Sequence, residues 1–180
     1  PVRCVLQLIS CDYIFFTPST CHSTIIPGLV YESGWTIVVA TYTFLALYAK
    51  AASSHEFSSV RYIFAGAERV KPETIAHWAR VFGAKIYEGY GATEAAPVIS
   101  LNCPLETRLN SVGLPLPSIQ CRIEAVDGIN EGGRLYIKGP NVMRGYMHAN
   151  NPGNIESLSG GWHDTGDIVH RDEDGFIFIK

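Results

Sequence analysis

The chain has 180 residues, 47% of them apolar and 17% charged, with a net charge of −3. That is enough apolar material for one sizeable domain or two small ones, and it argues against a disordered chain. The mild negative charge, without a basic run, argues against a nucleic-acid partner. The longest apolar stretch, 36–49, is too short and too rich in Thr and Tyr to be a membrane span. Pro1-Val2-Arg3-Cys4 lacks the charged start and small-residue cleavage site of a secretory signal. Cys4, Cys11, Cys21, Cys103 and Cys121 are odd in number and form no Cys-x-x-Cys pair, a pattern that predicts reduced thiols rather than a disulfide frame or a zinc site.

Strand-like runs fall at 13–16, 35–40, 62–65 and 85–87. Between them, Thr24 is placed to cap a helix with Pro27 in its first turn and Gly34 as its stop. Thr43 is placed to cap a second helix carrying Phe44, Leu45, Leu47 and Tyr48. Pro72 opens a third, whose Ile75, Trp78, Ala79 and Phe82 share one face and which Gly83 ends. Strands alternating with helices over short connections predict a parallel sheet with flanking helices, an α/β fold. Beyond Ile99 the character changes. Cys103-Pro104 and the Leu114-Pro115-Leu116-Pro117 run interrupt any helix, and strands are expected over 119–125, 134–138, 167–170 and 176–179. Glu131-Gly132-Gly133 and Asp174-Gly175 supply hairpin turns. The reading is an α/β subdomain over 1–109 followed by a small antiparallel β subdomain over 110–180.

The most informative stretch is Glu88-Gly89-Tyr90-Gly91-Ala92-Thr93-Glu94, read as a turn directly after the strand at 85–87. Glycines let a backbone approach a ligand closely, a ring offers a stacking surface, and a carboxylate can hold a hard cation such as Mg2+. Gly66-Ala67-Glu68 follows the strand at 62–65. Ligands of open α/β sheets bind beyond the carboxyl ends of the strands, so both segments are expected at one sheet edge. Rival motifs fail on inspection. Gly89-x-Gly91 is not a dinucleotide fingerprint, because Glu94 stands where that pattern needs a small residue. Asp172-Glu173-Asp174-Gly175 has no downstream calcium ligands before Lys180, and His163, Asp164, Asp167 and His170 alternate across a strand instead of converging.

Two further segments complete a set of three: Gly133 to Pro140 running on to Val142-Met143-Arg144-Gly145-Tyr146, and Gly161-Trp162-His163-Asp164-Thr165-Gly166-Asp167. In this order and spacing the set resembles the motifs of adenylate-forming (AMP-binding) enzymes, which include acyl-CoA synthetases, luciferases and peptide-synthetase adenylation domains. The resemblance covers roughly 24–180. Gly66-Ala67-Glu68, Glu131-Gly132-Gly133-Arg134 and Lys138-Gly139-Pro140-Asn141 look most like one branch, the bacterial bifunctional 2-acylglycerophosphoethanolamine acyltransferase/acyl-[acyl carrier protein] synthetase.

The resemblance implies ATP, AMP and Mg2+ as ligands, with the chain forming part of the large N-terminal domain of such an enzyme. By it, Gly66, Ala67 and Glu68 read the adenine edge, and Glu88, Gly89, Tyr90 and Gly91 line the base, with Tyr90 stacking. Thr93 contacts phosphate, Glu94 binds Mg2+, and Asp167 accepts from the ribose hydroxyls. Plainer roles stand beside these: a core aromatic for Tyr90, a solvated acid for Glu68, and a helix-start acid for Glu94. Gly113 is read as serving backbone geometry. The family's phosphate loop would precede Pro1, and its hinge and lysine-bearing domain would follow Lys180, so an internal piece of a longer enzyme is expected. The implied reaction joins a fatty acid to AMP and then to a thiol, on acyl carrier protein or coenzyme A. In the bifunctional branch a further domain acylates a lysophospholipid at the cytoplasmic face of the bacterial inner membrane. A fatty-acyl-CoA or aryl-CoA ligase and a non-catalytic nucleotide-binding module remain as alternatives.

Overall fold

The computed structural model describes residues 22–180; the strand expected over 13–16, and Cys4, Cys11 and Cys21, lie outside the described residues. The chain forms two compact units that divide between Tyr87 and Glu88. Asn110, where the sequence reading begins the second subdomain, lies in the loop between two strands of the second unit.

In the first unit, helix α1 spans Ile26–Ser33, with Pro27 in its first turn and Gly34 closing it at φ 62°. Thr24 does not cap it. The residue at the cap is Ile25, and the amides of Ile25 and Ile26 both donate to the His22 carbonyl, at 3.0 and 3.1 Å. A backbone oxygen thus does the work expected of a hydroxyl. Strand β1, Ile37–Ala40, runs parallel to β2, Tyr62–Ala65, with Ile37 opposite Tyr62 and Ala40 opposite Ala65. Helix α2, Tyr42–Ala51, starts two residues earlier than expected, so Thr43 falls inside the first turn and Thr41 takes the cap position. Helix α3, Pro72–Phe82, ends at Gly83 as its sequence predicts. Its buried face is Thr74, Trp78 and Phe82, spaced by four residues, while Ala79 is exposed. Trp78 is the centre of this unit's core. It meets Phe57 and Phe82 at centroid distances of 4.7 Å each, and its indole N–H donates to the Leu45 carbonyl at 3.1 Å.

Strand β3, Ile86–Gly91, carries the chain into the second unit. There it pairs antiparallel with β4, Val98–Leu101, and β4 pairs antiparallel with β5, Leu114–Pro115. The expected parallel pairing holds between β1 and β2, and antiparallel pairing begins where β3 meets β4, a strand the sequence did not predict. Only the three-residue 3-10 turn Thr93–Ala95 separates β3 from β4, so nothing in that connection provides the crossover that parallel strands need. Four further strands form an antiparallel sheet in the order β11-β10-β7-β6: β6 Gln120–Glu124, β7 Gly133–Lys138, β10 His163–Arg171 and β11 Ile177–Ile179. A separate hairpin, β8 Gly145–Met147 with β9 Ile155–Ser157, was not legible in the sequence. Alternate residues of β7, Leu135 and Ile137, join Val169, Ile177, Ile99 and Ala95 in the second core. Buried Asn102 ties the long loop down: its side-chain amide donates to the carbonyls of Glu88 (3.1 Å) and Ser111 (2.8 Å), and its oxygen accepts the Arg108 amide at 2.9 Å. At Gly113 a Cβ would lie 1.9 Å from the Leu101 carbonyl carbon, so close backbone approach dictates the residue. Cys103 and Cys121 are free thiols.

Candidate functional site

The stretch read as a turn, Glu88 to Gly91, is the end of strand β3. Its glycines face the chain itself. A Cβ on Gly91 would sit 2.2 Å from the Pro97 carbonyl oxygen, and one on Gly89 would sit 2.6 Å from a Leu101 methyl. Glu88 contributes its carbonyl, which takes the Asn102 backbone amide at 2.9 Å. A bulge follows: Tyr90 pairs with Ser100 but Gly91 pairs with Val98, leaving Ile99 as the extra residue. Bulges re-aim side chains, and Tyr90 is half-buried against the second core with its hydroxyl directed to Asp167.

Asp167 comes from a second irregularity. The β10–β7 register shifts between Asp164 and Ile168, which releases Thr165, Gly166 and Asp167 from the ladder. The released turn is held by its own hydroxyl: Thr165 donates to the Leu135 carbonyl at 2.9 Å and accepts the Asp167 amide at 3.2 Å. Asp164 fixes the other side, accepting the Gly166 amide at 3.0 Å and the Arg134 guanidinium at 2.7 Å. The Arg134 hydrogen bond is the main cause holding the Asp164 carboxyl below its ordinary range. The Tyr90 hydroxyl donates to Asp167 in a short hydrogen bond. Burial first, and the Asp167 carboxylate second, push the Tyr90 phenol well above its ordinary value, so it stays a donor. Tyr90 is thus a partly buried aromatic and a partner of the acid 77 positions away.

Thr93 and Glu94 lie on a three-residue 3-10 turn, Thr93–Ala95, rather than at the head of an α-helix. Thr93 is exposed and Glu94 half-exposed, while Ala95 is fully buried and anchors the turn. The segment after β7 braces it. Asn141 donates to the carbonyls of Ala95 (2.5 Å) and Val98 (3.1 Å), and the Met143 amide donates to the Glu94 carbonyl at 2.7 Å. The Tyr146 hydroxyl donates to Glu94 Oε1 at 3.1 Å. Glu94's own backbone amide, then the Tyr146 hydroxyl, hold its carboxyl below the ordinary range, so it is ionised at neutral pH. Among the described residues no three His, Cys, Asp or Glu side chains gather to hold an ion. A cation at Glu94 would take one protein carboxylate and find its other oxygens in water and phosphate. That is the habit of Mg2+, and the residues fit it.

In the first unit, Gly66, Ala67 and Glu68 follow β2. Ala67 sits at φ 69°, a left-handed conformation uncommon for a residue with a Cβ. Glu68 accepts the Thr43 amide at 3.2 Å and the Thr43 hydroxyl at 2.7 Å. Those bonds, the hydroxyl's foremost, hold its carboxyl below the ordinary range. Glu68 therefore satisfies a free amide in the first turn of α2, a role played by cap side chains elsewhere. Within the second unit the structure joins Tyr90 to Asp167 and Glu94 to Tyr146. Sequence reasoning quoted Tyr146, Asn141 and Thr165 inside its motifs but gave the first two no task; hydroxyl and amide side chains beside glycines were the available signal.

A family model for AMP-binding enzymes matches residues 8–147. The long-chain-fatty-acid–CoA ligase of Salmonella typhimurium is 34% identical over 170 residues, covering 86% of this chain and 29% of the relative. The anthranilate–CoA ligase of Pseudomonas aeruginosa is 38% identical over 123 residues, 66% of this chain and 23% of the relative. Among solved structures, the O-succinylbenzoate coenzyme A synthetase of Bacillus subtilis, in complex with ATP and magnesium ion, matches with a TM-score of 0.73 and 27% identity. That match covers 87% of this chain and 34% of the synthetase. The chain spans about three-tenths of the length of the first of these relatives.

Proposed function

The chain belongs to the AMP-binding enzyme family, and from that premise we propose that the whole protein uses ATP to convert a fatty acid into its acyl-adenylate, then passes the acyl group to a thiol. The observation that carries the reading is the Tyr90–Asp167 hydrogen bond in the same unit as the ionised Glu94. Asp167 keeps accepting capacity beyond the Tyr90 hydroxyl, since a carboxylate has about four lone-pair sites. It would take a hydroxyl of the ribose diol, while Tyr90, pinned at its hydroxyl end, offers its ring to the base. Thr93 would donate to a phosphate oxygen, and Glu94 would hold Mg2+. When bound, Mg2+ neutralises charge on the phosphate oxygens as pyrophosphate leaves. In the first unit, Glu68 serves its own segment by fixing the start of α2. The test is fatty-acid-dependent pyrophosphate exchange by the full-length enzyme, which should occur in the wild type and fail in Glu94→Ala.

For the acceptor, the ligase names of the relatives favour coenzyme A. The second reading, acyl carrier protein with onward acylation of a lysophospholipid at the cytoplasmic face of a bacterial inner membrane, rests on Gly66-Ala67-Glu68 and on two later segments. The later two are Glu131-Gly132-Gly133-Arg134 and Lys138-Gly139-Pro140-Asn141. Their residues build a hairpin and the brace after it, so this reading stands on likeness and not on chemistry. Offering the intact enzyme both thiols and a lysophospholipid separates the two. Acylation of coenzyme A alone selects the first, and acyl carrier protein plus phospholipid product selects the second.

A further inference from the structure

We propose that Tyr146 is a positioning residue for Glu94, its hydroxyl fixing the carboxylate in the orientation that receives the divalent cation. The inference rests on the reading of Glu94 given above. Four hydrogen bonds from a six-residue stretch hold the turn that carries Glu94 and the start of β4 just after it. Three of them, two from Asn141 and one from Met143, go to backbone carbonyls and fix where the turn lies. The fourth, from Tyr146, reaches the carboxylate and fixes how the side chain points. Glu94 has three rotatable bonds and a half-exposed side chain, so without such a partner it would sample several rotamers.

Tyr146 itself is well held at the backbone. It pairs with Glu156 across the β8–β9 hairpin, and its neighbour Gly145 lies so close to β9 that a Cβ there would be 1.9 Å from the Glu156 carbonyl oxygen. The Leu158 amide closes the same end of the hairpin on the Arg144 carbonyl at 3.2 Å. The ring is nevertheless 46% exposed and outside both cores. Beyond a tilted ring contact with His148 at 6.5 Å, packing gives little reason for a tyrosine here, whereas a rigid element presenting one hydroxyl to one carboxylate is the arrangement by which outer-shell partners orient a metal ligand.

The experiment uses the full-length enzyme with Mn2+ as the probe ion and an ATP analogue whose α–β bridge cannot be cleaved. Electron paramagnetic resonance reads the free ion. Tyr146→Phe should weaken nucleotide-dependent Mn2+ binding roughly 10-fold, the lower end for an outer-shell partner, because the hydroxyl is solvent-accessible. kcat/KM for ATP should fall with it, KM for the fatty acid should not change, and the melting temperature should hold. Tyr146→Leu should show the same loss, since both variants lack the hydroxyl, and Tyr146→Phe should add nothing in a Glu94→Gln background. Wild-type Mn2+ affinity in Tyr146→Phe, or a loss confined to Tyr146→Leu, would overturn the proposal alone. Absence of nucleotide-dependent Mn2+ binding in the wild type would overturn the reading of Glu94 and this proposal with it.

Discussion

Two glutamates that follow strands, Glu68 in the first unit and Glu94 in the second, both keep their carboxyls below the ordinary range. They do so for different ends. Glu68 gives its carboxylate to the amide and hydroxyl of Thr43, at the start of helix α2. Glu94 is held by its own amide and one phenol, on a turn whose carbonyls are occupied by Asn141 and Met143. The same contrast separates the two units at large. The first invests in a core built around Trp78, Phe57 and Phe82. The second has a smaller aliphatic core and two ladder irregularities, at Tyr90 and at Thr165 to Asp167, which bring the Tyr90 hydroxyl and the Asp167 carboxylate together. A motif acid is thus read by the groups its carboxylate satisfies, and a depressed pKa alone does not distinguish scaffold from chemistry.

The contrast can be tested hardest at Trp78. Trp78→Ala removes a side chain with no exposure and should cost about 3–5 kcal/mol of stability. A denaturant titration should show loss of folded protein before any specific kinetic defect appears. Glu94→Ala should behave the opposite way: pyrophosphate exchange by the full-length enzyme should fall about 100- to 1,000-fold, the scale for removing one preorganised electrostatic group, with the melting temperature little changed. Glu68→Ala should lower the melting temperature by about 2–4 °C, the scale of a lost cap in a chain of this size, and leave exchange within a few-fold. Exchange lost as deeply as in Glu94→Ala would make Glu68 a chemical residue and erase the contrast. The pH dependence sharpens it further. Because folding depresses the Glu68 carboxyl, its stabilisation is present above the ordinary carboxylate pKa, near 4.3, and fades as pH falls through the folded value. The gap in melting temperature between wild type and Glu68→Gln should therefore close at acid pH and be full at neutral pH.

Local chemistry was legible in the sequence where it is self-contained. The strand at 62–65 and the α3 boundaries at Pro72 and Gly83 match end to end, and the turns at Glu131-Gly132-Gly133 and Asp174-Gly175 form the expected hairpins. What escaped depends on partners. The strands β4, β5, β8 and β9 have two to four residues each and exist through the chain beside them. Thr43 has the chemistry of a cap, but its hydroxyl serves an acid 25 positions away. Tyr90 and Asp167 could each be singled out from their motifs, while the bond between them, across 77 positions, depends on a bulge in each of their ladders. Tyr146 was visible only as the end of a glycine-rich run, because its task is defined by where Glu94 lies.

On the proposed function, Asp167 and Tyr90 form one nucleoside-binding pair, the acid for the ribose and the ring for the base. Calorimetric titration of the full-length enzyme and its Asp167→Ala variant with AMP and, separately, with adenine tests it most directly. A lost charge-assisted hydrogen bond is worth about 1.5–3 kcal/mol, so Asp167→Ala should bind AMP about 10- to 100-fold more weakly while its affinity for adenine changes little. AMP affinity unaffected by the substitution, or adenine affinity lost in step with it, would contradict the account.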